Sequence, residues 1–281
     1  MMEESHLVDF LNLVADYLKD GHVHPRTCDA EQGPKDKENS SSRVPLAYSV
    51  EEPEYAESAD SYESYDSDES KDSDECKVSD EPLHSLEMVA EEISSCRACG
   101  LAATRKHTVP GEGSSRPLVM VIGEGPGADE DAAGRPFVGR AGQLLDKMLT
   151  SIGLFRYKNC YIANMVKCRP PGNRDPAPDE MSACFHFLER QILLLRPQLI
   201  LCAGRVAAQY LLKTSKGINA LRGGFVELKL NSAAYGMGEE ITIPVLPTFH
   251  PSAVLRDESM KRPAWEDLKL LKSRLVLPGG E

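Results

Sequence analysis

The 281-residue chain has no apolar run long enough to cross a bilayer, so no membrane-spanning helix is expected. It opens Met-Met-Glu-Glu, without a basic stretch followed by a long apolar core. An export signal is therefore not expected, and a cytoplasmic location is. No internal repeat is visible, so a repeat architecture is not expected. Large aliphatic residues are scarce over residues 23–82, where Ser, Asp and Glu dominate, as in Glu63-Ser64-Tyr65-Asp66-Ser67-Asp68-Glu69. Such a segment cannot bury enough apolar surface to offset its ordering entropy. It reads as a disordered acidic linker that serves solubility and spacing, or that competes with DNA for a basic domain.

Positive charge is also unevenly scarce. The net charge is −12 overall, but residues 1–82 hold 23 Asp/Glu against 7 Lys/Arg, and residues 83–281 hold 21 against 25. The acidity belongs to the N-terminal part, and the remainder is mildly basic, which suits a polyanionic partner without requiring one. Residues 1–22 carry Leu7, Phe10, Leu11, Val14 and Leu18 on one face of a helix expected over 5–20. That helix either packs back on its own core or docks into a groove on a partner protein.

From residue 83 onward, apolar β-rich runs alternate with helical patterns. Strands are expected at 117–122, 160–164, 198–203, 225–230 and 242–249. Helices are expected at 83–95, 140–152, 178–194, 205–212 and 262–275. This alternation predicts an α/β fold, a three-layer α/β/α domain over 83–281 with a central, mainly parallel sheet. Ligands of such sheets bind beyond the carboxyl ends of the strands. Glu124, Asn164 and His250 each stand at such an end, so three polar residues far apart in sequence would share one rim.

Gly123-Glu124-Gly125-Pro126-Gly127-Ala128 formally fits a dinucleotide fingerprint. Pro126 removes one N–H from the cradle, Glu124 places a carboxylate where pyrophosphate would lie, and no acidic residue ends a second strand at the required distance. The glycines instead let backbone approach a ligand while Glu124 projects into the pocket. Phe137, between Pro136 and Gly139 in a polar loop, either packs under that loop or offers a face for a nucleobase. Arg135 and Arg140 could meet phosphates. Asn164 either caps backbone groups or reads a pyrimidine edge with adjacent C=O and N–H. His250, before Pro251 and Ser252 at a helix start, could hydrogen-bond an oxygen that gains charge as a base departs.

Cysteine supplies the last constellation. Cys96 and Cys99 form a C-x2-C pair, and Cys168 and Cys184 follow far downstream with fifteen residues between them. Four thiolates in a chain without an export signal suggest metal binding. The wide second spacing is less typical of a zinc ribbon than of a [4Fe–4S] cluster. Cys160 and Cys202 lie in apolar strands and are expected to be buried and inert.

These motifs resemble those of family-4 uracil-DNA glycosylases. The resembling segments are Gly123–Asp131 with Gly134–Gly142, then Asn164-Met165-Val166-Lys167-Cys168-Arg169-Pro170-Pro171, then Phe249-His250-Pro251-Ser252, together with the four spaced cysteines. The family often has a tyrosine after His-Pro-Ser, where this chain has Ala253. The resemblance implies a uracil-DNA glycosylase-like fold that flips uracil out of DNA, hydrolyses the N-glycosidic bond and leaves an abasic site. It implies that Glu124 and His250 are catalytic and that Gly125, Glu130, Phe137 and Asn164 bind substrate. It further implies that Cys96, Cys99, Cys168 and Cys184 hold a structural [4Fe–4S] cluster, and that Arg222 lies in a DNA-facing loop. Uracil-containing DNA is the expected partner of a monomeric enzyme. The alternatives are a non-catalytic Fe–S protein that binds DNA or senses damage, and a nucleotide-binding α/β protein.

Overall fold

The computed structural model describes residues 81–231 and 240–275. The helix expected over 5–20 and nearly all of the acidic segment 23–82 lie outside them.

Three five-residue strands form the centre: β2 (Val119–Gly123), β3 (Cys160–Asn164) and β4 (Leu199–Ala203). Every residue in them is buried, so neither face meets water, which is why they read as continuous apolar runs rather than alternating ones. The short β1 (Glu112–Gly113) precedes them, and β5 (Val226–Asn231) and β6 (Glu240–Thr248) follow. The six strands are ordered β1-β3-β2-β4-β6-β5. The inner four are mutually parallel, and the two edge strands β1 and β5 run antiparallel to their neighbours.

The helices are α1 (Glu81–Ser95), α2 (Ala128–Ala133), α3 (Arg140–Thr150), α4 (Pro178–Leu195), α5 (Arg205–Leu211), α6 (Ile218–Leu221), α7 (Pro251–Arg256) and α8 (Lys261–Arg274). Alternate residues of each central strand face opposite layers. Val119, Val121, Ile162 and Leu201 pack with Leu144, Met148, Trp265 and Leu268 from α3 and α8. Met120, Ile122, Ala163 and Ile200 pack with Leu188, Ile192, Ala208 and Leu211 from α4 and α5. The result is the three-layer arrangement expected. A smaller apolar cluster joins α1, through Val89 and Ile93, to Phe187 of α4 and to Cys168 and Cys184.

The main strands and helices lie within two residues of the expected bounds. The elements that were not anticipated are short: β1, α2 and α6. A segment of two to six residues cannot display a period, and α2 is specified by capping instead. The Gly127 N–H donates to the Glu130 carboxylate at 3.0 Å, and Asp129, Glu130 and Asp131 occupy its first turn.

Chain order fixes where a ligand can sit. From β2 the chain crosses to β3 on one side, and β4 then returns to the other side of β2. The crevice opens where successive crossovers diverge, between the carboxyl ends of β2 and β4. The neighbouring β6 is clamped at the same end. Asp267 of α8, fully buried, accepts from the Thr248 hydroxyl at 2.7 Å and from Arg222 at 2.8 Å. Breaking a buried pair leaves an uncompensated charge. Asp267→Ala is expected to lower stability by about 3 kcal/mol, read as a shift in the urea unfolding midpoint; a shift below about 0.5 kcal/mol would mean the clamp does not hold β6.

Candidate active site

One cavity of about 540 Å³ opens at this rim, a volume that suits a small ligand. Glu124, Gly125, Glu130, Phe137, Asn164 and His250 all line it, so the fold brings together every pocket residue expected from the sequence.

Its geometry begins with two adjacent strand ends. Gly123 and Asn164 are register partners. A Cβ at Gly123 would lie 2.4 Å from Asn164 Oδ1 and 2.6 Å from Phe137 Cζ, so only glycine lets these two side chains close over the strand. Asn164 is 2 % exposed, and its Oδ1 has no hydrogen-bond partner among the described residues. An unpaired buried acceptor costs about 1–3 kcal/mol, which a donor on a bound ligand would remove.

Phe137 is buried, with a φ of 51° that a bulky residue rarely adopts. Arg156 holds it there, donating to the carbonyls of Pro136 at 2.7 Å and Phe137 at 2.9 Å. Arg156 is itself fixed by Asp146 and Glu112 at 2.9 and 2.8 Å. The Phe137 ring stacks on His250, with centroids 5.6 Å apart and planes at 29°.

Glu130 is differently employed. One carboxylate oxygen accepts from Gly127 N–H and the other from Val138 and Gly139 N–H, each at 3.0 Å. It borders the cavity while bracing both loops that carry Glu124 and Phe137.

His250 N-caps α7. Its Nδ1 accepts from the Ser252 N–H at 3.1 Å and lies 2.8 Å from the Ser252 hydroxyl. A backbone N–H can only donate, so Nδ1 is unprotonated and the ring proton resides on Nε2. Burial, with Arg256 adding to it, pushes the imidazole pKa down to about 4. The ring is therefore neutral near pH 7 and carries one N–H donor. Burial moves Glu124 the other way, up to about 7, with Asp175 raising it further and Arg205 opposing.

Asp175 and Arg205 were not anticipated. They line the cavity and pair at 2.5 Å. Arg205 follows Gly204 at the end of β4, so the rim argument could have found it; Asp175, in a proline-bounded loop, carries no such signal. Gly204 has φ 100°, and a Cβ there would come within 3.1 Å of His250 Cβ. Arg222, expected in a DNA-facing loop, is half-buried. Its guanidinium turns inward to Asp267 and lies 5.2 Å from the centre of the Phe249 ring.

The four spaced cysteines converge on one small pocket away from the rim. Donors surround their sulfurs: Arg105 Nη1 lies 3.1 Å from Cys168, the Lys167 N–H 3.3 Å from Cys184 and the Ala98 N–H 3.5 Å from Cys96. Without a metal, burial pushes the Cys184 thiol up to about 11. No group of three or more His, Cys, Asp or Glu side chains among the described residues is disposed to hold a metal ion. Cys160 and Cys202 are fully buried in their strands, as expected.

Residues 110–269 match the uracil DNA glycosylase superfamily. The chain is 41% identical over 198 residues to the type-4 uracil-DNA glycosylase of Saccharolobus solfataricus, covering 69% of this chain and 88% of that protein. It is 41% identical over 197 residues to the type-4 enzyme of Thermotoga maritima, covering 69% and 96%. With the type-4 enzyme of Sulfurisphaera tokodaii the identity is 38% over 200 residues, covering 70% and 87%. The chain therefore belongs to the uracil-DNA glycosylase superfamily and, within it, to the type-4 branch.

The close approach at Gly123 makes a direct prediction. Gly123→Ala must displace both Asn164 and Phe137, and should lower the excision rate by on the order of 10²-fold while the far-ultraviolet circular dichroism stays unchanged. Near-normal turnover would show that the two side chains need not close over the strand.

Proposed function

We propose that this chain excises uracil from DNA, with the rim cavity as its active site. The observation that carries this reading is the pairing, in one cavity, of a buried Asn164 carboxamide with an unmet acceptor and a neutral imidazole whose proton is on Nε2.

Uracil presents N3–H beside O4. Asn164 Oδ1 would accept from N3–H while its NH2 group donates to O4. Cytosine presents the opposite pattern and would leave both groups unpaired, the strongest kind of rejection such a site can exercise. Phe137 would stack on the flipped base. Arg174, Arg205 and Arg256 border the cavity, where phosphates of the extruded strand would pass.

As the N1–C1′ bond breaks, the electron pair leaves with the base and charge collects on O2. A neutral His250 Nε2–H would stabilise that anion without having to give up its proton. The sugar becomes cationic at C1′. Ionised Glu124 would stabilise it or accept a proton from the water whose oxygen bonds C1′. The products are free uracil and an abasic site, as in base-excision repair.

Cys96, Cys99, Cys168 and Cys184 would hold a [4Fe–4S] cluster. Four soft donors in one pocket, each of three sulfurs met by an N–H, fit that group. The four cysteines would supply its thiolates, with Arg105 and the backbone N–H groups of Ala98 and Lys167 donating to three of the sulfurs. Its role would be to staple the 96–99 segment to the 168–184 stretch, which runs from the loop after β3 into α4, since hydrolysis transfers no electrons. Cys99→Ala should lose visible absorbance and melt at lower temperature; an unchanged chromophore would contradict the ligand set.

The function is tested with an oligonucleotide carrying one uracil, treated with alkali after incubation. Strand cleavage is expected at uracil and not at thymine. His250→Ala and Glu124→Ala should each slow it by on the order of 10²–10³-fold. Cleavage-free incubation with cluster-loaded protein would favour the non-catalytic DNA-binding alternative.

A further inference from the structure

Lys167 lies in the Asn164–Pro171 motif, yet the chemistry above gives it no part. It is 1 % exposed, which is rare for a lysine. Its amine donates to the backbone carbonyl of Asn164 at 3.0 Å and to Gln191 Oε1 at 2.7 Å. Gln191, equally buried, is oriented in turn by donating from Nε2 to the Pro110 carbonyl at 2.8 Å. The Lys167 backbone is also committed on both sides. Its N–H lies 3.3 Å from Cys184 Sγ, and its carbonyl accepts from Val109 N–H at 2.8 Å.

The sheet register explains why an amine is needed there. β1 pairs Glu112 with Ile162 and Gly113 with Tyr161, antiparallel. The Ser114 N–H donates to the Cys160 carbonyl at 2.8 Å, which identifies 160 and 114 as a hydrogen-bonding pair. Hydrogen-bonding pairs recur at every second residue along an antiparallel ladder. The ladder stops at Glu112–Ile162: Gly111 leaves it with a φ of 125°, the Val109 N–H then bonds the Lys167 carbonyl out of that register, and Pro110 lies between them. A proline has no N–H to give. The ended ladder therefore brings no donor to the carbonyl of Asn164, buried at the strand end, and Lys167 reaches back three residues to supply one.

We propose that Lys167 is a positioning residue for base recognition. Its amine supplies the donor that the ended ladder does not, fixes the peptide that follows Asn164, and so fixes the direction of the Asn164 carboxamide in the cavity. This rests on the reading that Asn164 binds uracil. Cys168 is the next residue and the Lys167 N–H rests on Cys184, so the cysteine site and the base-reading strand end share one support. Losing the amine leaves two buried acceptors unmet and frees the Asn164 peptide to turn.

The test uses the full chain with its cluster and three variants, Lys167→Met, Gln191→Met and Asn164→Ala. It reads inhibition by free uracil, kcat and KM on a uracil oligonucleotide, and visible absorbance per protein. Lys167→Met should weaken uracil inhibition by on the order of ten-fold and lower kcat, with KM for DNA and absorbance near the unsubstituted protein's. Gln191→Met, which keeps the amine but removes its orienting partner, should shift the same quantities less. A residue that merely stabilised the fold would lower the melting temperature and leave uracil inhibition alone. If Lys167→Met does not fold, Gln191→Met decides on the same readings. Unchanged uracil inhibition and kcat in the folded variants, with inhibition lost in Asn164→Ala, would overturn the proposal alone. Unchanged inhibition in Asn164→Ala would remove the base-reading role and the proposal with it.

Discussion

The pocket depends on how closely two strand ends can approach. Gly123 and Asn164 sit side by side at the end of β2 and β3, and the absence of a side chain at 123 lets Asn164 and Phe137 close over the gap. Much of the rest supports that closure. Arg156 holds Phe137 in an unfavourable backbone conformation, Glu130 ties the loops on either side, and Lys167 caps the strand that presents Asn164. Each support is a buried or half-buried polar group with its partners satisfied. That is the condition under which polar groups rigidify a site rather than weaken it.

The same enclosure sets charge. Removing water from the rim disfavours ionised forms, so it raises a carboxyl and lowers an imidazole. Glu124 and His250 move in opposite directions for one reason, and the two end within reach of opposite tasks. A neutral histidine with its proton fixed on Nε2 would be a standing donor to a departing base. A carboxyl poised near neutrality is an acceptor for a proton or a partner for a cationic sugar. Asp175 and Arg205, paired at the mouth, act on Glu124 in opposing senses.

Much of this was legible in the chain. The central strands announce themselves because they are buried on both faces, and Glu124, Asn164 and His250 could be placed because each stands at the carboxyl end of a strand in a parallel sheet. Phe137 stood out as an aromatic between proline and glycine in a polar loop. What could not be read were side chains whose partners are distant in sequence. Arg222 turns inward because Asp267, 45 positions on, waits in the core. Glu130 is occupied by the amides of residues 138 and 139 across a helix. The need for Lys167 arises only because the β1 ladder stops short of Asn164, and no local pattern carries that information. Short elements such as α2 and β1 escaped because they are specified by a cap or a single pairing rather than by a period.

The central claim is that burial of one rim sets the protonation of Glu124 and His250, the two groups proposed to act in the reaction. It is tested most directly by the pH dependence of kcat/KM on a uracil oligonucleotide. On the proposed mechanism the ionised form of Glu124 is the active one, and burial raises its pKa to about 7. The account predicts that kcat/KM rises with pH, levels off above that value, and shows no limb from His250, which stays neutral far below it. Glu124→Gln should remove the limb. A profile already flat between about pH 5 and about pH 8, or a limb that survives in Glu124→Gln, would contradict it.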